Sequence, residues 1–172
     1  IQYNLSRDEF VTFFVSVALL VLYLVAQNQS DMMDNSTQVL NRKMLDELLR
    51  SNIIHEKKFE LIILALDDFK FVNKTFGVTV GDMMLIQVAY FLTTVTEKGK
   101  VYRYGADQFV LEIESGDIYV ETALEKIQER FRHPWITEDV SVMLSTTISC
   151  VSYPKDGATM ANIIDVIDYS IL

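Results

Sequence analysis

One apolar run, FELIILAL at Phe59–Leu66, limits most strictly what this chain can fold into. An almost wholly apolar run of this length is typical of a central β-strand whose two faces are both covered. Such a strand needs partner strands at its edges and helices over both faces of the sheet. The run therefore predicts a layered fold in which this strand lies at the centre.

The rest of the chain supplies the other elements of such a fold. Apolar residues at helical spacing predict helices over residues 36–52, 69–75, 80–95, 118–131 and 160–172, the first of them capped by Ser36 or Thr37. Strand patterns cover residues 101–104, 109–113 and 142–151. This order predicts an α+β fold, an α/β sandwich with a central, mostly antiparallel sheet flanked by helices.

Residues 101–113 read as two strands joined by a tight turn. Gly105 relieves steric limits at the turn, and Asp107 is the charged residue presented there. An acidic residue beside a glycine at a hairpin tip suits a divalent metal and a polyphosphate, because the backbone can come close to the ligand. The alternative is a surface hairpin whose carboxylate is merely solvated.

Residues 10–26 form the longest apolar run, 17 residues without a charge. As a helix the run is about 25 Å long, near the lower limit for crossing a bilayer. Three interpretations stay open: a transmembrane span, a buried or oligomerising helix, and the apolar part of a signal peptide. We expect residues 1–30 to be a hydrophobic helix with its linker, and residues 31–172 to be a separate domain truncated at its C-terminus. The chain begins with Ile1, which suggests a piece of a longer protein.

Composition argues against several functions. The net charge of −9 repels nucleic-acid backbones, so a DNA- or RNA-binding role is not expected. With a single cysteine and two histidines, the chain lacks the ligands of a zinc site. We expect Cys150 to be a small buried apolar residue, and the cysteine count fits a reducing, cytoplasmic compartment.

A family resemblance emerges at the predicted turn. Residues 103–109, RYGADQF, resemble the RYGGDEF signature of GGDEF domains, the diguanylate cyclases of bacterial cyclic di-GMP signalling, with Ala106 for the second glycine and Gln108 for the glutamate. Three more blocks match the family in order: residues 34–42, residues 66–77 with Gly81 and Asp82, and residues 147–157. The resemblance covers about residues 34–172 and implies the palm-like fold of nucleotide cyclases.

The resemblance also implies a damaged catalytic centre. Joining two GTP molecules into cyclic di-GMP requires Mg²⁺ ions held by carboxylates. The position that matches the first metal-binding aspartate is Ala65, and Asp67 lies about 6.5 Å further along the strand, too far to replace it. Asp107 matches the remaining metal ligand, whereas Gln108 replaces an acid. We therefore expect Mg²⁺ to bind weakly, if at all.

The nucleotide-binding positions match the family better. Asn73 and Asp82 match the residues that hydrogen-bond guanine, and Lys70 matches a lysine near the phosphates. The resemblance further implies that Gly105, Phe69 and the backbone amides of residues 67–69 line the phosphates. The alternative is that these residues are ordinary solvated positions on helix surfaces. Residues 96–99 lack the arginine and aspartate of the family's inhibitory product site.

Three functions are compatible with this pattern. The first is a catalytically impaired GGDEF domain that binds GTP or a protein partner and relays a signal, with a downstream phosphodiesterase domain as a natural client. The second is an active diguanylate cyclase with an altered metal site, and the third is a purely structural dimerisation module. We expect a homodimer held at the cell membrane by the N-terminal helix, with the GGDEF-like domain in the cytoplasm.

Overall fold

A computed structural model of the chain describes residues 7–30, 32–95, 100–113, 117–137 and 140–169. The chain divides into two compact units, Ile1–Met33 and Asp34–Leu172.

The first unit contains one long helix, α1 (Arg7–Ser30). Side chains are described for residues 8–24, and all of them are exposed within the unit. Its large apolar side chains are between 40% and 64% exposed, and Phe10 and Phe14 stack with ring centroids 6.2 Å apart. The uncharged run therefore forms a helix, as predicted, with an apolar surface on all sides.

The second unit is built on a five-stranded sheet in the order β1-β3-β4-β2-β7. Its strands are β1 (Leu40–Asn41), β2 (Phe59–Leu66), β3 (Lys100–Arg103), β4 (Gln108–Ile113) and β7 (Thr146–Tyr153). Strand β2 pairs antiparallel with both β4 and β7, β3 pairs antiparallel with β4, and β1 runs parallel to β3. The FELIILAL run thus has strands on both of its sides, as its composition predicts.

Helices cover both faces of the sheet. The helices are α2 (Arg42–Ile54), α3 (Phe69–Phe76), α4 (Val78–Val95), α5 (Asp117–Phe131) and α6 (Met160–Tyr169). Successive residues of β2 point to opposite sides: Ile62 and Leu64 join the core that includes α4 and α5, whereas Leu61 and Ile63 join the core that includes α2 and α6. The predicted α+β sandwich is confirmed.

Local chemistry explains where several helices begin and end. The side chain of Asn41 accepts a hydrogen bond from the amide of Met44, so α2 starts at Arg42. The prediction that Ser36 or Thr37 caps this helix is wrong, because both hydroxyls bond instead to the carboxylate of Asp34. Gly77, with φ of 90°, terminates α3 as predicted.

Two further expectations are corrected near β7. The predicted strand over residues 142–151 is divided, because residues 143–145 interrupt it between β6 (Ser141–Val142) and β7. Strand β6 pairs with β5 (Trp135–Ile136) in a separate two-stranded sheet. Cys150 is exposed rather than buried, because β7 lies at the edge of the main sheet.

Among the residues described, α4 has the length and the mean hydropathy (1.5) of a membrane span. Of this helix, 39% is buried inside the protein. Its apolar character has another explanation. Met84, Leu85, Val88 and Leu92 are all buried against the sheet. We therefore assign α4 to the core of the second unit.

Candidate functional site

Polar and small side chains gather where β2 ends. Ala65 is paired in register with Gln108 on β4 and with Thr147 on β7. Residues paired across a sheet project from the same face, so the Ala65 methyl group lies between a carboxamide and a hydroxyl. The structure thus brings together Ala65 and Gln108, two of the positions where the chain departs from the family pattern.

The turn between β3 and β4 closes directly over this strand end. The backbone carbonyl of Asp107 accepts a hydrogen bond from the amide of Leu66 at 3.0 Å, which fixes the turn beside the last residue of β2. The amides of Tyr104 and Gly105 both donate to the carbonyl of Gln108, at 2.9 and 3.3 Å. Asp107 is therefore presented at the strand end, where the sequence predicts it.

Gly105 lies in close contact with the Gln108 side chain and does not have a positive φ angle. A Cβ atom at this position would lie 2.4 Å from the Oε1 atom of Gln108, so the Gln108 side chain folds back over the glycine. The Gln108 carboxamide therefore covers its own turn, and it carries no charge to offer to a cation.

The Arg103 side chain stabilises the turn between β3 and β4 through hydrogen bonds. Its guanidinium donates to the carbonyls of Gly105, at 3.1 Å, and of Ala106, and it also reaches Ser36 Oγ at 3.2 Å and Asp34 Oδ1 at 3.5 Å. Burial alone would raise the pKa of Asp34, but hydrogen bonds from Thr37 and Ser36 and the charge of Arg103 outweigh burial and leave that pKa below its usual value. The loop before β1 and the signature turn are thus one hydrogen-bonded structure.

The connection from β2 to α3 limits what can face a ligand. The amide of Asp67 donates to the carbonyl of Ser145 at 3.0 Å, so it is already used and the expectation that it lines the phosphates is wrong. Asp67 Oδ1 accepts a hydrogen bond from Thr147 at 2.9 Å. Phe69 is only 4% exposed and packs in the core, whereas Lys70 is exposed.

In the candidate nucleotide site, Asn73 on α3 packs against Gly81 on α4. A Cβ atom at Gly81 would lie 1.8 Å from Asn73 Oδ1, so only glycine admits the Asn73 side chain at this place. That oxygen is buried and makes no hydrogen bond with any residue that the structure describes. Asp82 follows Gly81 and is exposed. The predicted pair of guanine-binding residues therefore lies on adjacent helices, with an unpaired buried acceptor on one of them.

Sequence reasoning missed a second polar connection behind the turn. The hydroxyl of Tyr104 donates to Asp168 Oδ1 on α6 at 2.6 Å and accepts from Arg42 at 3.1 Å. The Arg42 guanidinium also lies 4.3 Å from the centre of the Tyr104 ring. Burial, and then the bond to Asp168, raise the pKa of Tyr104. A buried tyrosine at the end of a strand was the one available signal, because a buried hydroxyl requires a partner.

Comparison with known proteins decides the family. Residues 31–171 match the family described as diguanylate cyclase, GGDEF domain. The chain belongs to the GGDEF family. It is 34% identical over 132 residues to MucR of Pseudomonas aeruginosa, a bifunctional diguanylate cyclase/cyclic di-GMP phosphodiesterase, covering 73% of this chain and 19% of that protein. It is 33% identical over 127 residues to DgcI of Escherichia coli, a probable diguanylate cyclase, covering 73% of this chain and 27% of that protein.

A solved structure supports the fold. The coiled coil and GGDEF domain of DgcB from Caulobacter crescentus, determined with c-di-GMP, matches with a TM-score of 0.82 at 20% identity, covering 95% of this chain and 90% of that one. The chain spans less than a third of the length of the two curated GGDEF proteins that it matches.

Of the positions that the family resemblance assigns to Mg²⁺ and the catalytic acid, this GGDEF domain keeps a carboxylate at Asp107 only. Magnesium prefers oxygen ligands at about 2.1 Å, usually carboxylates together with phosphates. Ala65 offers no oxygen, Gln108 is neutral, and Asp67 is bonded to Thr147. Within the described residues, no three acidic, histidine or cysteine side chains come together in a way that could hold a metal ion.

Proposed function

We propose that this chain is a GGDEF domain that binds GTP without converting it efficiently to cyclic di-GMP, and that it acts as a regulatory or protein-interaction module in cyclic di-GMP signalling. The observation that carries the proposal is the register of Ala65 between Gln108 and Thr147. A methyl group stands where the reaction needs a charged oxygen, and no neighbouring strand supplies one.

The lost charged groups, at Ala65 and Gln108, lie at the catalytic end of the site. Nucleotide binding is therefore favoured over a purely structural role. The contact between Asn73 and Gly81 leaves a carboxamide at the guanine position with an unpaired oxygen. An unpaired buried acceptor is costly, and a ligand or an adjusted amide orientation that supplies a hydrogen bond would recover that cost. Retention of this arrangement beside a lost metal ligand suits a domain that senses a nucleotide.

The partners and the location belong to the same proposal. The apolar surface of α1 suits insertion into a bilayer, which would hold the domain at the cytoplasmic side of the cell membrane. MucR combines a cyclase and a phosphodiesterase in one protein. By analogy, we propose that this domain regulates a phosphodiesterase domain. Two copies side by side in a membrane would form the homodimer in which such a domain relays a signal.

Calorimetric titration of GTP into the full chain, solubilised in detergent, tests the proposal. Wild-type protein should bind GTP, and Asn73→Ala should weaken binding by about tenfold or more, because one good hydrogen-bonding group contributes roughly 1–2 kcal/mol. Asn52→Ala on α2 serves as the matched control and should bind as the wild type does. Absence of binding in the wild type would favour the purely structural module instead.

A further inference from the structure

The candidate nucleotide site is charged in a way that does not suit a triphosphate. Carboxylates outnumber cationic side chains at the strand end and on the two helices that follow it; the carboxylates are Asp67, Asp68, Asp82 and Asp107, and the lysines are Lys70 and Lys74. Arg103 would be a third cation, but its side chain is 12% exposed and is bonded to Asp34, Ser36 and two turn carbonyls. It is therefore not available to a phosphate.

In an ordinary metal-dependent site, divalent cations bind between clustered carboxylates and phosphates and so remove the repulsion between these negative groups. In this chain few charged ligands for such a cation are present. Ala65 and Gln108 replace charged groups, and Asp67 accepts a hydrogen bond from Thr147. Each added phosphate then meets uncompensated negative charge. The guanine-binding end does not depend on that centre, since Asn73 is positioned by Gly81 on α4.

We propose that the site recognises the guanine base without a divalent cation, so that affinity does not rise from the monophosphate to the triphosphate and does not depend on magnesium. The proposal rests on the guanine-nucleotide binding proposed above and defines its ligand class: a guanine nucleoside or nucleotide, chosen by its base. Such a domain would respond to the total pool of guanine nucleotides rather than to Mg·GTP alone.

The experiment is a set of calorimetric titrations of the full chain in detergent with GMP and with GTP, each in excess EDTA and in excess Mg²⁺. We expect GMP to bind at least as tightly as GTP, and magnesium to change the Kd of GTP by no more than about threefold. A GTP affinity that rises by about tenfold or more with magnesium would overturn the proposal while leaving nucleotide binding intact. Failure of both nucleotides to bind in either buffer would instead overturn the proposed function, and this inference with it.

The double variant Ala65→Asp, Gln108→Glu is the matched control. It returns two carboxylates to adjacent strands, so its GTP affinity should become dependent on magnesium under the same conditions. Gln108→Glu alone, at a partly exposed position, provides a second variant if the double variant does not fold. If neither folded variant gains any magnesium dependence, the lost carboxylates are not the cause and the proposal fails.

Discussion

Two small residues, Ala65 and Gly81, determine what the candidate site can hold. Ala65 removes a ligand from the end of β2, and Gly81 admits the side chain of Asn73 between α3 and α4. In the proposed function, the first residue accounts for the loss of chemistry and the second for the binding of guanine.

Gly81→Ala should weaken guanine-nucleotide binding. The new methyl group would lie 1.8 Å from Asn73 Oδ1, so the carboxamide must leave its position. Alanine is the better helix former by about 0.8–1 kcal/mol, which offsets part of the cost of displacing the Asn73 side chain, and binding should weaken by about tenfold or more. Titration with GMP checks this, and Thr79→Ala, at an exposed position of the same helix, is the control. Unchanged binding in Gly81→Ala would show that Asn73 does not contact the base.

The connection between Arg103 and Asp34 should depend on pH. The pKa of Asp34 is lowered in the folded state, so its contribution to stability is complete above the unfolded value near 3.8 and is lost as pH falls through the folded value. Asp34→Asn should therefore lower the free energy of unfolding by about 1–2 kcal/mol at pH 7. Thermal unfolding at pH 7 and pH 3 measures the difference, which should narrow in acid. An equal difference at both pH values would contradict this role.

The sequence predicted some of these residue roles but not their contacts. A family pattern identified Ala65, Gln108, Asn73 and Asp82 because such motifs have fixed spacing. No pattern could indicate that Gly81 packs on Asn73, or that Thr147 bonds to Asp67, because these contacts join residues that meet only after folding. The Ser36 and Thr37 hydroxyls were misassigned as helix caps for the same reason: Asp34 competes for them.

At the scale of elements, the fold followed from periodicity, whereas the shortest pieces did not. Strand β2 and the long helices were predicted because their apolar patterns are unambiguous. Strands β1, β5 and β6 have two residues each and carry no pattern of their own. Position in the sheet, rather than composition, decided that Cys150 is exposed.

Helix α6 should depend on Tyr104 for its attachment to the sheet. Tyr104→Phe removes the 2.6 Å bond to Asp168 and leaves a carboxylate beside an apolar ring edge. We expect the free energy of unfolding to fall by about 1–2 kcal/mol. Chemical denaturation measures this, with Tyr169→Phe, 78% exposed on the same helix, as the control. Equal stability of the two variants would mean that the hydroxyl contributes nothing.

Helix α1 should hold the chain in membranes. Leu19→Arg places a charge near the middle of the apolar run, at a cost of about 2.5–3.5 kcal/mol in a bilayer, and should release protein from the membrane fraction. Thr94→Arg, which adds the same charge to an exposed position of α4, should not. Sedimentation after an alkaline wash, with immunoblotting, distinguishes the two. Wild-type chain that remains in the supernatant would exclude anchoring by α1.

At the scale of the whole molecule, the account separates binding from turnover. The domain has the five-stranded palm-like sheet and the signature turn, while the end of β2 carries the methyl group of Ala65. An intact GGDEF fold whose catalytic centre lacks charged ligands suits a domain that binds a nucleotide as a signal. In the proposed function, a dimer in the membrane passes such a signal to a partner domain without making a product.

The most direct test is a cyclase assay on the full chain, dimerised in detergent or in vesicles, with GTP and either Mg²⁺ or Mn²⁺. Cyclic di-GMP is measured by chromatography beside an active GGDEF cyclase under identical conditions. We expect this chain to form cyclic di-GMP far more slowly than the active cyclase does, because Ala65 and Gln108 replace charged groups at the strand end. Cyclic di-GMP formed at a rate comparable to that of the active cyclase would contradict it, because Ala65 would then be compatible with catalysis.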